Sequence, residues 1–362
     1  MTDRLAVGAF GALGPLAPSF RVRTRIPAAE LAIHGIDMRF LPLLDEEQDR
    51  AVHQGSLARR LQAAFQARRG LRRRLQADGD RLEVALVQRQ VDLSPSLGLE
   101  RRVADGRRLV LDVDDAIWLD SSPDAGGHRL ARLKGTARKL RWLAERADAV
   151  VAGNDLLADW LGRYSANVVV VPSLVEHRDF PPRSHAQSGR IVLGWLGSPS
   201  TAPALAALRE PLRALARNAG KIEFELLVVG GAPPAAPGIP VREERWSEES
   251  EREFLRTVDI GLMPLPDNAW TRGKCAYKAL QYMAAGIPVV ADDVGVSAQV
   301  IGHERGGLIV PAGGDWVEPL RELGSDARMR SQLGRTGRDR VAEGYSVEAW
   351  APVLAHVLRG DR

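Results

Sequence analysis

TRGKCAYKALQYMAAGIPVV, from Thr271 to Val290, decides how the rest of the chain is read. It runs into Gly286-Ile287-Pro288-Val289-Val290-Ala291, an apolar run opened by glycine, which predicts a buried strand. Upstream, Tyr277 to Ala285 has a helical pattern, with Ala276, Leu280, Met283 and Ala284 on one face. Arg272, Gly273 and Lys274 form a tight cationic loop before it. A glycine loop feeding a helix start suits an anion, because free backbone N–H groups and the helix dipole both favour negative charge. Lys274 and Lys278 are four apart, a spacing that lets them share a face and flank one pair of phosphates. The competing reading is a solvated helix start, although the dipole disfavours cations there.

Outward from this stretch the C-terminal half alternates strand and helix. Strands are expected at Arg190–Leu196, Phe224–Val229, Val241–Trp246, Asp259–Met263 and Gly307–Val310. Helices are expected at Ala204–Ala216, Glu248–Thr257, Asp315–Ser325, Ala327–Gly344 and Val347–Leu358. The small-residue loop Gly197-Ser198-Pro199-Ser200-Thr201 opens the first of these helices. The N-terminal half has the same grammar, with strands at Leu5–Phe10, Ile36–Leu41, Glu83–Gln88, Arg108–Val113, Ala149–Ala152 and Val168–Val171. Such alternation implies parallel sheets. Expected boundaries are 1–180 for the first domain, 181–189 for a proline- and serine-containing linker, 190–345 for the second domain and 346–362 for a terminal helix. A chain of 362 residues suits two domains.

Composition narrows the functional classes. The single cysteine, Cys275, excludes an intrachain disulfide and a cysteine-rich zinc site, and favours a reducing cytoplasm. No apolar run approaches the ~20 residues that span a bilayer. The start MTDRLAVGAF reads as the first strand rather than a signal peptide. No GxGxxG is present, so a dinucleotide site has no support. Net charge is +4, unevenly spread. Ser56 to Gln76 is a basic helix with Leu57, Leu61, Ala64, Phe65, Leu71 and Leu75 as its apolar stripe. Arg59, Arg60, Arg68, Arg69, Arg72, Arg73 and Arg74 supply the rest. It reads either as a solvated surface helix or as a peripheral contact with an anionic membrane. Without interleaved aromatics or a known module, nucleic acid is not an expected partner.

Asp112, Asp114 and Asp115 close the strand Arg108–Val113, where open α/β sheets bind ligands. A helix cap is the alternative role for one of them. His128 follows Gly126-Gly127 in a loop and is a weaker candidate, more simply a surface residue.

From GWLGSPST through DIGLMPLPDNAWTRGKCAYKALQYMAAGIPVVADDVGVSAQVI to GRTGRDRVAEGYS, the C-terminal half resembles nucleotide-sugar glycosyltransferases of the GT-B fold, specifically glycosyltransferase family 4. The N-terminal half resembles a bacterial subgroup through SFRVRTRIPAAEL, ALVQRQ, LVLDVDDAIWL and ADAVVAGNDLLADWL. The resemblance implies an α/β architecture of two tandem Rossmann-like, doubly wound domains facing each other across a cleft. It implies a donor held mainly by the second domain, an acceptor held mainly by the first, and retaining transfer of the hexosyltransferase class. It also implies that the terminal helix crosses back to brace the first domain.

Family members carry two glutamates eight positions apart on the helix before AxGxPVV. Here the first falls on Gly273 and the second, which normally meets the donor ribose, on Gln281. Glutamine can accept as well as donate, so ribose binding survives chemically, and Gln281→Glu is expected to keep or improve donor affinity. Family members carry a diphosphate-neutralising Arg and Lys on the first loop and helix of this domain; here that segment reads GSPSTAPALAALREPL, with no lysine, so Arg272, Lys274 and Lys278 are expected to take over.

Charge growing on a leaving diphosphate is stabilised by fixed cations and backbone N–H groups. The Gly197-Ser198 loop, the helix start before Lys278 and the Gly11 to Gly14 loop are expected to converge there, with no cofactor or metal required. The acidic pairs Asp114/Asp115 and Asp292/Asp293 keep a metal open. Trp246 would stack on the base or fill the core, and Asp114 or Asp115 would face the sugar or acceptor. The alternatives to a glycosyltransferase are a nucleotide-sugar hydrolase or epimerase, and a binding or scaffold protein that kept the fold and lost catalysis.

Overall fold

The computed structural model describes residues 4–14, 17–48, 56–78, 81–119, 135–218, 220 and 222–361. The chain forms two compact units, Met1–Leu174 with Val347–Arg362, and Val175–Ser346.

The first unit is built on β1 (Leu5–Gly11), β2 (Ile36–Pro42), β3 (Val84–Gln88), β4 (Arg108–Val113), β5 (Ala149–Ala152) and β6 (Val168–Val170). They pair in the order β2-β1-β3-β4-β5-β6, all parallel. Crossovers are made by α1 (Ala28–Ile33), α2 (Leu57–Asp78), α3 (Gly98–Ala104), α4 (Thr136–Arg146) and α5 (Asp155–Leu161). With helices on its faces, the sheet is apolar on both sides, and β3 is buried at every residue. The terminal helix, Val347–Arg359, belongs to this unit, where Ala351, Ala355 and Leu358 join Val7, Ile36, Leu86 and Val110 in one core.

The arginine helix α2 is not uniformly solvated. Ala63, Ala67, Leu71 and Leu75 are buried, whereas Phe65 is 65% exposed. Arg68 reaches Asp92 with two bonds of 3.0 and 3.1 Å, and Arg74 donates to the Pro42 carbonyl at 2.8 Å. Arg69, Arg72 and Arg73 point to solvent.

The second unit carries β7 (Arg190–Leu196), β8 (Glu223–Val229), β9 (Val241–Glu244), β10 (Ile260–Met263), β11 (Val289–Asp292) and β12 (Gly307–Val310). Their order is β12-β11-β10-β7-β8-β9, again parallel. Its main helices are α6 (Arg209–Asn218), α7 (Glu248–Thr257), α8 (Tyr277–Ala284), α9 (Val317–Ser325) and α10 (Ala327–Gly344). The single helix expected over Ala204–Ala216 is instead a 3₁₀ segment, Ala202–Leu208, followed by α6. Pro211 has no N–H for the Ala207 carbonyl, so one continuous α-helix would lose a bond there. Residues 181–189, a linker by composition, are bonded to the second unit. The Arg183 N–H donates to the Ala285 carbonyl at 2.7 Å, and its guanidinium pairs with Asp259 at 2.9 Å.

Candidate functional site in the second unit

In the second unit the sheet opens between β7 and β10. The chain runs from β7 to β8 and β9 on one side, then crosses to β10 on the other, which makes β7/β10 the switch point where such sheets hold ligands. Pairing between these strands reaches only Gly194 and Gly261. Helices pack tightly at both. A Cβ on Gly261 would lie 2.3 Å from the Tyr282 ring, and one on Gly194 would lie 2.3 Å from Val258. Beyond the end of this pairing, the Leu196 N–H donates to the Tyr282 hydroxyl at 2.9 Å instead of to a strand.

Three elements meet over this opening. The Gly197 N–H donates to Val229 at 3.0 Å, and the Ala202 N–H closes the Ser198–Thr201 loop onto the Ser198 carbonyl at 3.1 Å. Gly230 follows β8 with φ +81, and a Cβ there would sit 2.2 Å from the Gly197 carbonyl oxygen. From α8, Lys278 lies against Gly197, with Nζ 3.3 Å from Thr201 Oγ1 and 4.7 Å from the centre of the Trp195 ring. Among the described residues no carboxylate pairs with Lys278. Burial, and secondarily the charge of Lys274, bring its pKa down from 10.5 to about 7.

The other cations of the opening stretch have different surroundings. Lys274 lies before α8, so helical spacing does not align it with Lys278; its Nζ sits 3.5 Å from the Trp270 ring centre. Arg272 is exposed and bound to Asp267 at 2.6 and 2.8 Å. Gly273 has an ordinary φ of −80, and the left-handed residue before α8 is Ala276, at φ 50.

Gln281 is 3% exposed and is not a simple acceptor. Its Nε2 donates to Glu251 Oε1 at 3.0 Å, while the Trp246 indole N–H donates to Glu251 Oε2 at 2.8 Å. Trp246 is half-buried and packs on the core. This revises the expectation for Gln281→Glu, because a second carboxylate would face Glu251 at hydrogen-bond distance. Sequence reading passed over Glu251. Its signal was there: Glu251, Phe254, Leu255 and Val258 form an i, i+3, i+4, i+7 stripe, which places a carboxylate on the buried face of α7.

In the first unit, the acids at the end of β4 are paired with arginines that the sequence pattern did not single out. Buried Asp112 holds Arg23 through bonds of 2.7 to 3.1 Å, and Arg23 also donates to the Val171 and Pro172 carbonyls. Asp114 accepts from Gln88 at 2.9 Å and from Arg89 at 2.6 Å; Asp115 lies 3.6 Å from Arg89 and accepts from the Ala116 N–H. Burial would raise the Asp114 pKa, but Arg89 outweighs it and holds the carboxyl below its ordinary value. Gly11 ends β1 against the Phe20 ring, 2.6 Å from where a Cβ would stand, and the Gly14 carbonyl accepts from Ala17. His128 lies outside the described residues. Asp292 accepts from the Leu265 N–H at 2.8 Å and the Trp316 indole at 3.0 Å, bracing loops. Among the described residues no three His, Cys, Asp or Glu side chains converge as a metal site. None of the helices described is long and apolar enough to cross a membrane.

Residues 190–326 match the family described as glycosyl transferases group 1. The whole chain is similar to sucrose-phosphate synthase from Thermosynechococcus elongatus, at 15% identity and a TM-score of 0.71 over 99% of each chain. It is also similar to HepE of Anabaena, solved with UDP and glucose, at 11% identity and a TM-score of 0.67 over 99% of this chain and 100% of that one. WaaG, a glycosyltransferase involved in lipopolysaccharide biosynthesis, gives 14% identity and a TM-score of 0.66 over 98% and 100%. No curated protein sequence matches the chain. The chain has the GT-B fold of two Rossmann-like α/β units, and the match to glycosyl transferases group 1 falls within its second unit.

Proposed function

We propose that this protein is a retaining glycosyltransferase that moves a sugar from a UDP- or GDP-linked donor to a hydroxyl acceptor. The observation that carries the reading is Lys278, a half-buried ammonium at the switch point of the unit that matches glycosyl transferases group 1, with no carboxylate paired to it among the described residues. A cation kept from water without a counter-charge favours an anionic ligand, and a diphosphate supplies one. Ser198, the N–H groups of its loop and the start of α8 add donors for the same group. Lys278 would neutralise charge on the leaving diphosphate, with Lys274 as a flanking cation. No metal is required for that role.

The acceptor is assigned to the first unit, with Asp114 and Asp115 as the acids of its strand ends. HepE was solved with UDP-glucose, and WaaG acts in lipopolysaccharide biosynthesis. A role in surface polysaccharide or glycoconjugate synthesis agrees with both. Exposed Arg69, Arg72 and Arg73, beside exposed Phe65, support a peripheral contact of α2 with anionic lipid, at the inner face of the membrane.

Incubation with UDP-glucose or a GDP-sugar and a panel of glycoside or lipid-linked acceptors tests the reading. Release of UDP or GDP that depends on acceptor and is lost in Lys278→Met is expected. Nucleotide binding without turnover on any acceptor would favour the catalytically reduced binding protein. Acceptor-independent release would favour a nucleotide-sugar hydrolase.

A further inference from the structure

We infer that Glu251 is a positioning residue for the nucleoside part of the donor, fixing which end of the Gln281 amide faces the ligand and holding the Trp246 ring beside it. The inference rests on the nucleotide-sugar reading above. It starts from three side chains brought together from separate elements. Trp246 follows β9, Glu251 lies on the inner face of α7, and Gln281 lies on α8.

An ionised carboxylate can only accept hydrogen bonds, and an indole N–H can only donate. Glu251 therefore takes the Trp246 N–H on one oxygen and the Gln281 NH2 on the other. The amide has two chemically different ends. With its NH2 drawn to Glu251, its carbonyl oxygen must point away from the carboxylate. Gln281 thus offers an acceptor, suited to a sugar hydroxyl, beside an indole suited to a planar base. Glu251 is 6% exposed, so these bonds form away from water, where an unmade one is costly. The cluster shares α8 with Lys278, three residues earlier, which ties recognition of the nucleoside to recognition of the diphosphate through one rigid helix.

The pair must then carry one carboxylate and one amide, and their order can be exchanged. In Glu251→Gln, the new amide accepts the Trp246 N–H and turns its own NH2 to Gln281. Gln281 must flip to accept it, which replaces the outward acceptor by a donor. In Gln281→Glu, two carboxylates face each other and repel. With both changes, Gln at 251 accepts from Trp246 and donates to Glu at 281, whose second oxygen is an outward acceptor again.

The test is calorimetry of UDP, GDP and inorganic pyrophosphate on the full chain, the two single variants and the double variant, with melting temperatures of each. The wild type should bind UDP or GDP. Each single variant should lose about tenfold in that affinity, and the double variant should recover most of it. Pyrophosphate affinity should stay constant throughout. Equal nucleotide binding by folded wild type and both singles would overturn the role of Glu251. So would a double variant no better than the weaker single. A wild type that binds neither UDP nor GDP would instead overturn the donor reading, and this inference with it.

Discussion

At the strand ends of the first unit, negative charge is matched within the protein: Arg23 neutralises Asp112, and Arg89 serves Asp114 and Asp115. Over the strand ends of the second unit, Lys278 on α8 has a hydroxyl and an aromatic face for neighbours but, among the described residues, no carboxylate. One unit thus carries a closed charge at its strand ends, and the other an open one over its switch point. A buried charge with a built-in partner need not stabilise the fold, but removing that partner leaves the charge unpaired and is costly. A desolvated charge whose partner is absent costs stability and gains it back on binding an anion. The difference separates a structural ion pair from a ligand site more sharply than the residue types do.

The largest effect should come from breaking the closed side. Arg23→Ala leaves Asp112 buried and unpaired, and should cost roughly 3–5 kcal/mol in urea unfolding monitored on the first unit. A loss below about 1 kcal/mol would mean that water or a neighbour replaces the pair.

On the open side the sign for stability reverses. Lys278→Met should weaken nucleoside-diphosphate binding by roughly 1.5–3 kcal/mol, while the ligand-free protein melts no lower than wild type. Its folded pKa of about 7 lies below the ordinary 10.5, so the unfolded chain binds more protons between those values. Stability from this group therefore rises as pH goes from about 7 towards 10.5, and Lys278→Met should lack that rise. Differential scanning calorimetry across this range checks it.

A third contrast lies within α2. Reversing Arg69, Arg72 and Arg73 to Glu should release the protein from anionic vesicles at low salt, each cation contributing about 1 kcal/mol. Arg68→Glu should instead act on folding, because Arg68 is held by Asp92. Vesicle sedimentation beside melting curves separates the two, and a wild type that ignores vesicles would make α2 a solvated face. The smallest effect is expected from Lys274→Ala. This ammonium is seated on Trp270, so diphosphate affinity should fall by only about 0.5–1 kcal/mol, on the scale of an exposed ion pair. A loss matching that of Lys278→Met would make the two lysines equal members of the site.

Much of the fold was legible because apolar runs bounded by charge or glycine mark buried parallel strands. Arg108–Val113, Arg190–Leu196 and Gly307–Val310 were read to the residue. Short segments without a period were not. Pro18–Phe20 and the π-helical turn Arg21–Arg25 look like a proline loop in sequence, and Gly98–Ala104 is too short for a stripe to declare itself. At the candidate site, the glycine loop and helix start single out Lys278 together with Arg272 and Lys274. What separates Lys278 from Arg272 was not legible, because that depends on Asp267 bonding one cation and, among the described residues, no acid pairing with the other. Partnership across long separations was hidden altogether. Arg23 finds Asp112 at 89 residues' distance and Glu251 finds Gln281 at 30, and composition and periodicity carry no record of either. The reading of Gln281 as a ribose contact therefore missed the carboxylate behind it.

The most direct test of the open lysine is calorimetric titration of UDP and GDP into wild type and Lys278→Met across pH 7 to 9. Lys278 loses its proton above about 7 in the free protein, whereas the nucleoside diphosphate already carries its full phosphate charge there. Wild-type affinity for the better nucleotide should therefore fall as pH rises, by roughly tenfold over the range, with proton uptake on binding. Lys278→Met should bind weakly and without that slope. A wild-type affinity independent of pH and equal to that of Lys278→Met would show that the diphosphate does not bind at Lys278, and would contradict the account.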